Sequence, residues 1–211
     1  MKLNWANRIT ILRMCLIVPF VICMLKINDD QFSQNMRNAA RYSAFAVFII
    51  MALSDAFDGW LARRKNQVTR LGTFLDPIAD KLLITCACLL LASNRARVDG
   101  FVLPTTVVVL IIGKDLFLLI GFIIVYFITS KVRIVPAPAG KTATALQLSM
   151  VAAILLAPEI SRFLTGWIWV LRVLWWSAAA MAVLAMVVYF RAGLRYIEPS
   201  ENNGHSEANE Q

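Results

Sequence analysis

The chain has 211 residues, of which 59% are hydrophobic and only 16% charged, and its mean hydropathy is +0.67. That composition excludes an ordinary soluble domain and leaves room for one membrane domain, with no second sizeable one. The net charge of +8 does not point to nucleic acid, because the basic residues flank apolar segments, where anionic headgroups of membrane lipids are the natural partners.

In chain order, a first apolar run covers roughly 10–25 after Lys2, Arg8 and Arg13. The following LKINDDQF lacks a small-x-small cleavage pattern, so the run reads as a retained transmembrane helix. A second run, roughly 42–63, passes through RRKNQVTR into a third, roughly 72–93. The fourth, roughly 101–129, is long enough to span with tilt. Two prolines in SKVRIVPAPAGK break the chain before a fifth run, roughly 141–157, and the sixth covers roughly 167–189. Trp167, Trp169, Trp175 and Trp176 suit an interface, with Trp175 and Trp176 deep enough to meet another helix. Gly113 and Gly121, eight apart on the fourth run, read as close-packing positions.

The prediction is an all-α integral membrane protein with six transmembrane helices. Residues 1–197 form the membrane domain and 198–211 a disordered polar tail. With six spans, Lys2, Arg8, Arg63, Arg64, Lys65, Arg70, Lys131, Arg133, Arg191 and Arg195 fall on one side, which the positive-inside rule makes cytoplasmic along with both termini. Cys15, Cys23, Cys86 and Cys88 lie inside apolar runs and show no metal-binding or disulfide spacing. The single histidine, His205, sits in the tail, which excludes a histidine-based triad from the membrane domain.

The stretch SDAFDGWLARRKNQVTRLGTFLDPIADK, residues 54–81, sets four acids at the ends of two apolar runs. At 100° per residue Asp55, Asp58, Gly59 and Ala62 share one side of a helix, and Asp76 and Asp80 stack one turn apart on the next. A charge at the centre of a membrane helix costs on the order of 2.5–3.5 kcal/mol, and neighbouring acids repel. Divalent cations remove both penalties. Hard oxygen donors without His or Cys suit Mg²⁺ or Mn²⁺. Gly59 and Ala62 leave space beside the acids, and Arg63 offers charge to a phosphate. The alternative, acids paired at the interface with Arg63, Arg64, Lys65, Arg70 and Lys81, suits a lone aspartate better than four acids around two small residues.

Written out, Asp55-x2-Asp58-Gly59-x2-Ala62-Arg63-x8-Gly72-x3-Asp76-x3-Asp80 resembles, at every fixed position, the signature of the CDP-alcohol phosphotransferase family. The resemblance implies a cytoplasm-facing two-metal site held by Asp55, Asp58, Asp76 and Asp80, with Asp80 also the general base. It implies contact of Gly59, Ala62, Arg63 and Gly72 with the cytidine diphosphate of the donor, a homodimer, and residence in the bacterial inner membrane. The short chain resembles the branch that uses CDP-diacylglycerol. NWANRITILR places Asn7, Thr10 and Arg13 three apart, like the opening of the phosphatidylglycerophosphate and cardiolipin synthase branches. Asn7 and Thr10 then have two readings, lining the nucleotide site or capping the first helix.

Lys114 and Lys141 are expected to point into the bundle, and with Arg133 they would hold an acceptor phosphate, which favours glycerol 3-phosphate. Other readings are a Lys114–Asp115 pair and a Lys141 that snorkels to the interface. Both branches usually carry Arg where this chain has Lys114, and the GKTATALQLSM region also resembles enzymes that use phosphatidylglycerol as acceptor, a cardiolipin synthase activity. Inositol phosphate is a third acceptor. A cation-dependent transporter is the alternative of another class, but it should show two corresponding halves, and the acidic motif occurs once.

Overall fold

The computed structural model describes the backbone of residues 5–65, 70–129 and 138–204, and the side chains of 10–55, 79, 81–121 and 140–191. Seven helices occur among the described residues: α1 (Trp5–Leu25), α2 (Gln34–Lys65), α3 (Arg70–Ala92), α4 (Thr105–Thr129), α5 (Pro138–Leu155), α6 (Ala157–Phe163) and α7 (Trp167–Gly204). No strand is among them. Each of the six apolar runs is one long helix, and α6 is an addition the sequence reading did not contain.

Helix starts follow the local chemistry. The amide of Arg37 donates to the Ser33 carbonyl as α2 opens, and Val107 and Val108 donate to the carbonyl of Pro104 as α4 opens. Proline is tolerated there because the first turn needs no donor from it. The turn before α4 passes through Gly100 at φ +82°, a backbone state that glycine alone adopts without strain. Across that end of the bundle, the Asn28 side-chain amide donates to the Arg97 carbonyl at 3.0 Å, tying the α1–α2 and α3–α4 connections together.

α1 packs against both α2 and α3, α5 against α2, α3 and α7, and α4 against α3 and α7. The core runs through Phe20 and Met24, Ala44, Phe48 and Met51, Leu83, Ala87 and Leu91, and Met150 and Ile154. The rings of Phe20 and Phe48 sit 6.0 Å apart, tilted by 37°. On α7 the buried positions Ala178, Ala179, Ala182 and Ala185 form a small-residue stripe that lets helices approach closely, the device membrane bundles rely on. Gly113 and Gly121 do not serve this purpose, since a β-carbon at either would meet open space. The close approach is at Gly140, where an added β-carbon would lie 2.8 Å from the Tyr189 hydroxyl of α7.

Large apolar side chains face outward on several helices: Leu12 and Val18 on α1, Leu53 on α2, Leu89 on α3, Val109 and Leu116 on α4, and Val173 and Leu184 on α7. Surface of that extent marks contact with lipid or protein. By length and composition, Trp167–Arg191 can cross a membrane, and Gly140–Leu155 with Ala157–Phe163 forms a pair bent by 71°. Trp175 is buried whereas Trp169 and Trp176 are exposed, so only one of the adjacent tryptophans packs inward. α7 continues to Gly204, past the boundary at 197/198 drawn from apolarity, because extending a formed helix costs far less than starting one. Residues 205–211 lie outside the described residues.

The break between α5 and α6 has a specific cause. Pro158 has no N–H to give to the carbonyl four residues earlier, and its ring crowds that turn. The amide of Glu159 bonds the Leu156 carbonyl, which releases the Leu155 carbonyl. Buried Arg41 of α2 takes it, donating from Nη1 at 2.9 Å. The same guanidinium reaches both carboxylate oxygens of Glu159, at 2.6 Å from Nη1, and the Tyr42 hydroxyl donates to that carboxylate at 2.6 Å. A planar fork on a carboxylate is the geometry arginine supplies and lysine does not.

α6 is bent by 71° from α5 and follows the fifth apolar run, and Arg41 holds the Glu159 carboxyl down from 4.5 to about 2. A depressed carboxylate contributes stability that is full above its unfolded value and lost as pH falls through its folded one. The melting temperature of the detergent-solubilised protein is therefore expected to fall between about pH 4.5 and 2, and Glu159→Gln to flatten that part of the profile. An unchanged acid limb in the variant would show that the pair does not set it.

Candidate active site

The two acid-bearing helices are joined by four residues, 66–69, so their motif ends belong to one end of the bundle. Asp55 and Asp80 each stand ten residues from that connection, about 15 Å along their helices, and Asp58 and Asp76 stand seven and six away, about 9–10 Å. The acids thus fall at matching distances on the two helices. Gly59, Ala62 and Arg63 occupy the last turns of α2, and Gly72 the first turn of α3. The side chains of Asp58, Gly59, Ala62, Arg63, Gly72, Asp76, Asp80 and Asn7 lie outside the described residues, as does Arg133 altogether.

The buried stripes of α2 and α3 run toward the positions of the acids. On α2 the buried positions Ala44, Phe48 and Met51 continue at the same spacing into Asp55 and Asp58. On α3 the buried stripe Leu91, Ala87, Leu83 and Ala79 continues toward Asp80 and Asp76. In each helix the register of the core positions leads to acidic positions at one end.

Asp55 is the motif acid whose side chain is described. Its Oδ1 lies 2.5 Å from Nη1 of Arg13, and the arginine is 2% exposed against 41% for the aspartate. α1 therefore contributes a buried guanidinium directly to the acid centre. Thr10, one turn earlier, is also buried and engaged. The sequence placed Arg13 in a motif with Asn7 and Thr10 but gave it no partner, because a contact across 42 positions leaves no periodic signal.

The donor set fits a hard divalent cation. The Asp55 carboxylate is accessible and already attracts a cation, and the motif adds three carboxylates with no His or Cys, the oxygen chemistry that Mg²⁺ or Mn²⁺ prefers. Among the described residues no three acidic, histidine or cysteine side chains gather at one point. Three of the four motif acids lie outside that set.

A second charged cluster joins α3 to α4. Lys81 Nζ sits 2.8 Å, and Lys114 Nζ 2.9 Å, from the same Oδ1 of Asp115. Lys114 is 2% exposed, Asp115 8% and Lys81 35%, so two ammonium groups share one buried carboxylate beside the Asp80 position. Of the readings open for Lys114, the structure forms the pair with Asp115. Lys141, expected to point inward, is exposed, because α5 turns Ala143, Gln147 and Met150 to the interior instead. Lys114 and Lys141 thus occupy different environments.

Sequence reasoning named Lys81 and Asp115 only as alternative ion-pair partners and passed over Gln147. Gln147 is fully buried, and neither polar atom of its amide has a hydrogen-bond partner, a state that costs about 1–3 kcal/mol. A cleft lined by Gly100, Val102, Pro104, Ile168, Arg172 and Trp175 opens at the end of the bundle away from the acids and is separate from this site.

A family model described as CDP-alcohol phosphatidyltransferase matches residues 3–189. The chain belongs to this family. A protein of Rickettsia bellii (strain RML369-C) named CDP-diacylglycerol–glycerol-3-phosphate 3-phosphatidyltransferase is 31% identical over 197 residues, covering 92% of this chain and 97% of the relative. A protein of the same name from Bacillus subtilis (strain 168) is 34% identical over 161 residues, 72% of this chain and 77% of that one. The family match spans α1 to most of α7, so the Arg13 helix and the two aspartate helices fall within one phosphatidyltransferase domain.

The shared anion of the second cluster predicts an asymmetric response to mutation. Asp115→Leu strands the buried ammonium of Lys114 and leaves half-buried Lys81 unpaired, and should cost about 3–5 kcal/mol. Lys114→Met combined with Asp115→Leu should recover most of that loss. Denaturation of the purified variants in detergent measures both, and an additive double variant would show that the three groups are not coupled.

Proposed function

We propose that this phosphatidyltransferase moves the phosphatidyl group of CDP-diacylglycerol to glycerol 3-phosphate, releasing CMP and forming phosphatidylglycerophosphate. The observation that carries the reading is likeness over nearly the whole length to a relative whose name states that donor and acceptor. The acid-bearing ends of α2 and α3, with Arg13 at Asp55, are consistent with it.

In this reading the primary hydroxyl of the acceptor attacks the phosphorus that carries the diacylglycerol, and the bond from that phosphorus to CMP breaks. Asp80 takes the hydroxyl proton, which requires it within hydrogen-bond reach of the bound acceptor. Asp55, Asp58, Asp76 and Asp80 would hold Mg²⁺ or Mn²⁺, which when bound supplies charge stabilisation to the pyrophosphate and the leaving CMP. Asn7, Thr10, Gly59, Ala62, Arg63 and Gly72 line the cytidine diphosphate, where small residues allow backbone approach and Arg63 meets phosphate. Lys114, Arg133 and Lys141 supply positive charge for the acceptor phosphate. Exposed Lys141 meets it at the entrance, while Lys114 gives charge from within while bound to Asp115.

The same reading takes the six long helices as six spans of the bacterial inner membrane, with both termini and the acids on the cytoplasmic side and the protein a homodimer. Outward-facing apolar side chains on α1, α2, α3, α4 and α7 support the spans. Glycerol 3-phosphate is a soluble dianion, and a water-facing acid end is where it can enter.

CMP release by the purified protein with CDP-diacylglycerol and Mg²⁺ or Mn²⁺ is expected to depend on glycerol 3-phosphate. Asp80→Asn and Asp58→Asn should each lower it by about 10²–10⁴-fold or more without altering the melting curve. Stimulation by phosphatidylglycerol instead would make the protein a cardiolipin synthase. Absence of CMP release with every acceptor would reopen the choice of donor or return the transporter reading, and near-normal turnover by Asp80→Asn would remove that residue as the base.

A further inference from the structure

Gln147 is the buried polar residue for which the packing offers no use. It has no exposed surface, and both Oε1 and Nε2 lack a hydrogen-bond partner. Its neighbours on the inner face of α5 are Ala143, Met150, Val151 and Ile154, all buried and apolar. A leucine or methionine there would remove the unpaired amide at no loss of packing volume, so the amide is retained against stability. A buried carboxamide with free donors and acceptors calls for a ligand that can both give and take a hydrogen bond.

Its height in the bundle can be read from the tie at the far end. Arg41 of α2 bonds the Leu155 carbonyl at the end of α5, and the two helices pack along one another. They must therefore be antiparallel, since a parallel pair would carry α5 beyond the start of α2. Eight residues back from Leu155, Gln147 stands about 12 Å toward the acid end, and Asp55, fourteen residues on from Arg41, about 21 Å. Gln147 thus lies about 9 Å deeper than Asp55 along the bundle. Helical side chains lean toward the N-terminus of their helix, which on α5 is the acid end, so the amide is carried up toward the floor of the acid centre.

Of the groups that a phosphatidyl transfer brings there, phosphates are matched by cations, acyl chains by apolar surface, and the cytidine by the residues of α1, α2 and α3 named above. The group left for an amide on α5 is the acceptor's alcohol. We propose that Gln147 hydrogen-bonds the secondary hydroxyl of the glycerol 3-phosphate acceptor and so determines selectivity for a polyol over a simple alcohol phosphate. The contact holds the neighbouring primary hydroxyl toward the reacting phosphorus. This rests on the acceptor reading given above and adds to it the residue that recognises the carbon skeleton rather than the phosphate.

The test compares glycerol 3-phosphate with 3-hydroxypropyl phosphate, which lacks only the secondary hydroxyl, in CMP release by the full chain. The intact protein is expected to prefer glycerol 3-phosphate by about tenfold or more in kcat/KM, as one lost hydrogen bond to a buried group requires. Gln147→Met, with Gln147→Leu as a second variant should the first fold poorly, is expected to lose that preference. It should do so by falling on glycerol 3-phosphate alone, with an unchanged KM for CDP-diacylglycerol and a melting temperature equal to or above that of the parent. A variant that keeps the parent's preference, or that loses both acceptors equally while melting lower, overturns the proposal. A parent protein that turns over a different acceptor but not glycerol 3-phosphate removes the acceptor reading itself, and the role of Gln147 with it.

Discussion

A charge inside an apolar bundle persists only where an opposite charge or a set of donors meets it, and that condition decides how these helices are joined. Three contacts satisfy it. Arg13 on Asp55 fixes α1 to α2, Lys81 and Lys114 on Asp115 fix α3 to α4, and Arg41 on Glu159 and the Leu155 carbonyl fixes α2 to the α5–α6 break. Apolar packing between the same helices is interchangeable by comparison, because lipid offers leucine and valine nearly the same surroundings as protein does. Register and neighbour choice therefore rest on the polar contacts, with the alanine stripe of α7 and Gly140 setting how close the approach can be.

The arrangement divides the molecule by function. At one end the charges have excess capacity: accessible Asp55 meets one guanidinium, and two ammonium groups meet one carboxylate. Such groups can exchange their partners for a cation or a phosphate without leaving a charge stranded. At the other end the buried charge is matched in place: Arg41 gives its donors to a carboxylate and a main-chain carbonyl. Chemistry belongs where substrates can displace existing partners, and rigidity where they cannot.

What could be read from the chain alone follows the same division. The six long helices were legible because each is an unbroken apolar run, and the acid signature because its spacing is fixed within two adjacent segments. The short α6 was not, since APEISRF is too brief and too polar to show a period, although the Pro158 that causes the break stood in plain view. Partner identity was illegible for a different reason. Arg13 with Asp55 and Arg41 with Glu159 join positions 42 and 118 apart, and nothing local to either residue names the other. The inward placement expected of Lys141 failed because the face of α5 that is buried was set by Ala143, Gln147 and Met150, a choice made by neighbouring helices.

The contact at the α5–α6 break also bears on how the protein is made. Arg41 lies near the start of α2, and the carboxylate that completes that guanidinium is synthesised 118 residues later, about 6–24 s behind it at ordinary rates of translation. Until then α2 carries a cation whose native partner does not exist, so it must stay at the water-facing margin or be shielded by anionic headgroups. Closure of this end thus waits for α6 and precedes only the packing of α7. A nascent chain stopped before Glu159 keeps the Asn28 tie and the apolar core but lacks the ion pair that anchors α2 to the end of α5.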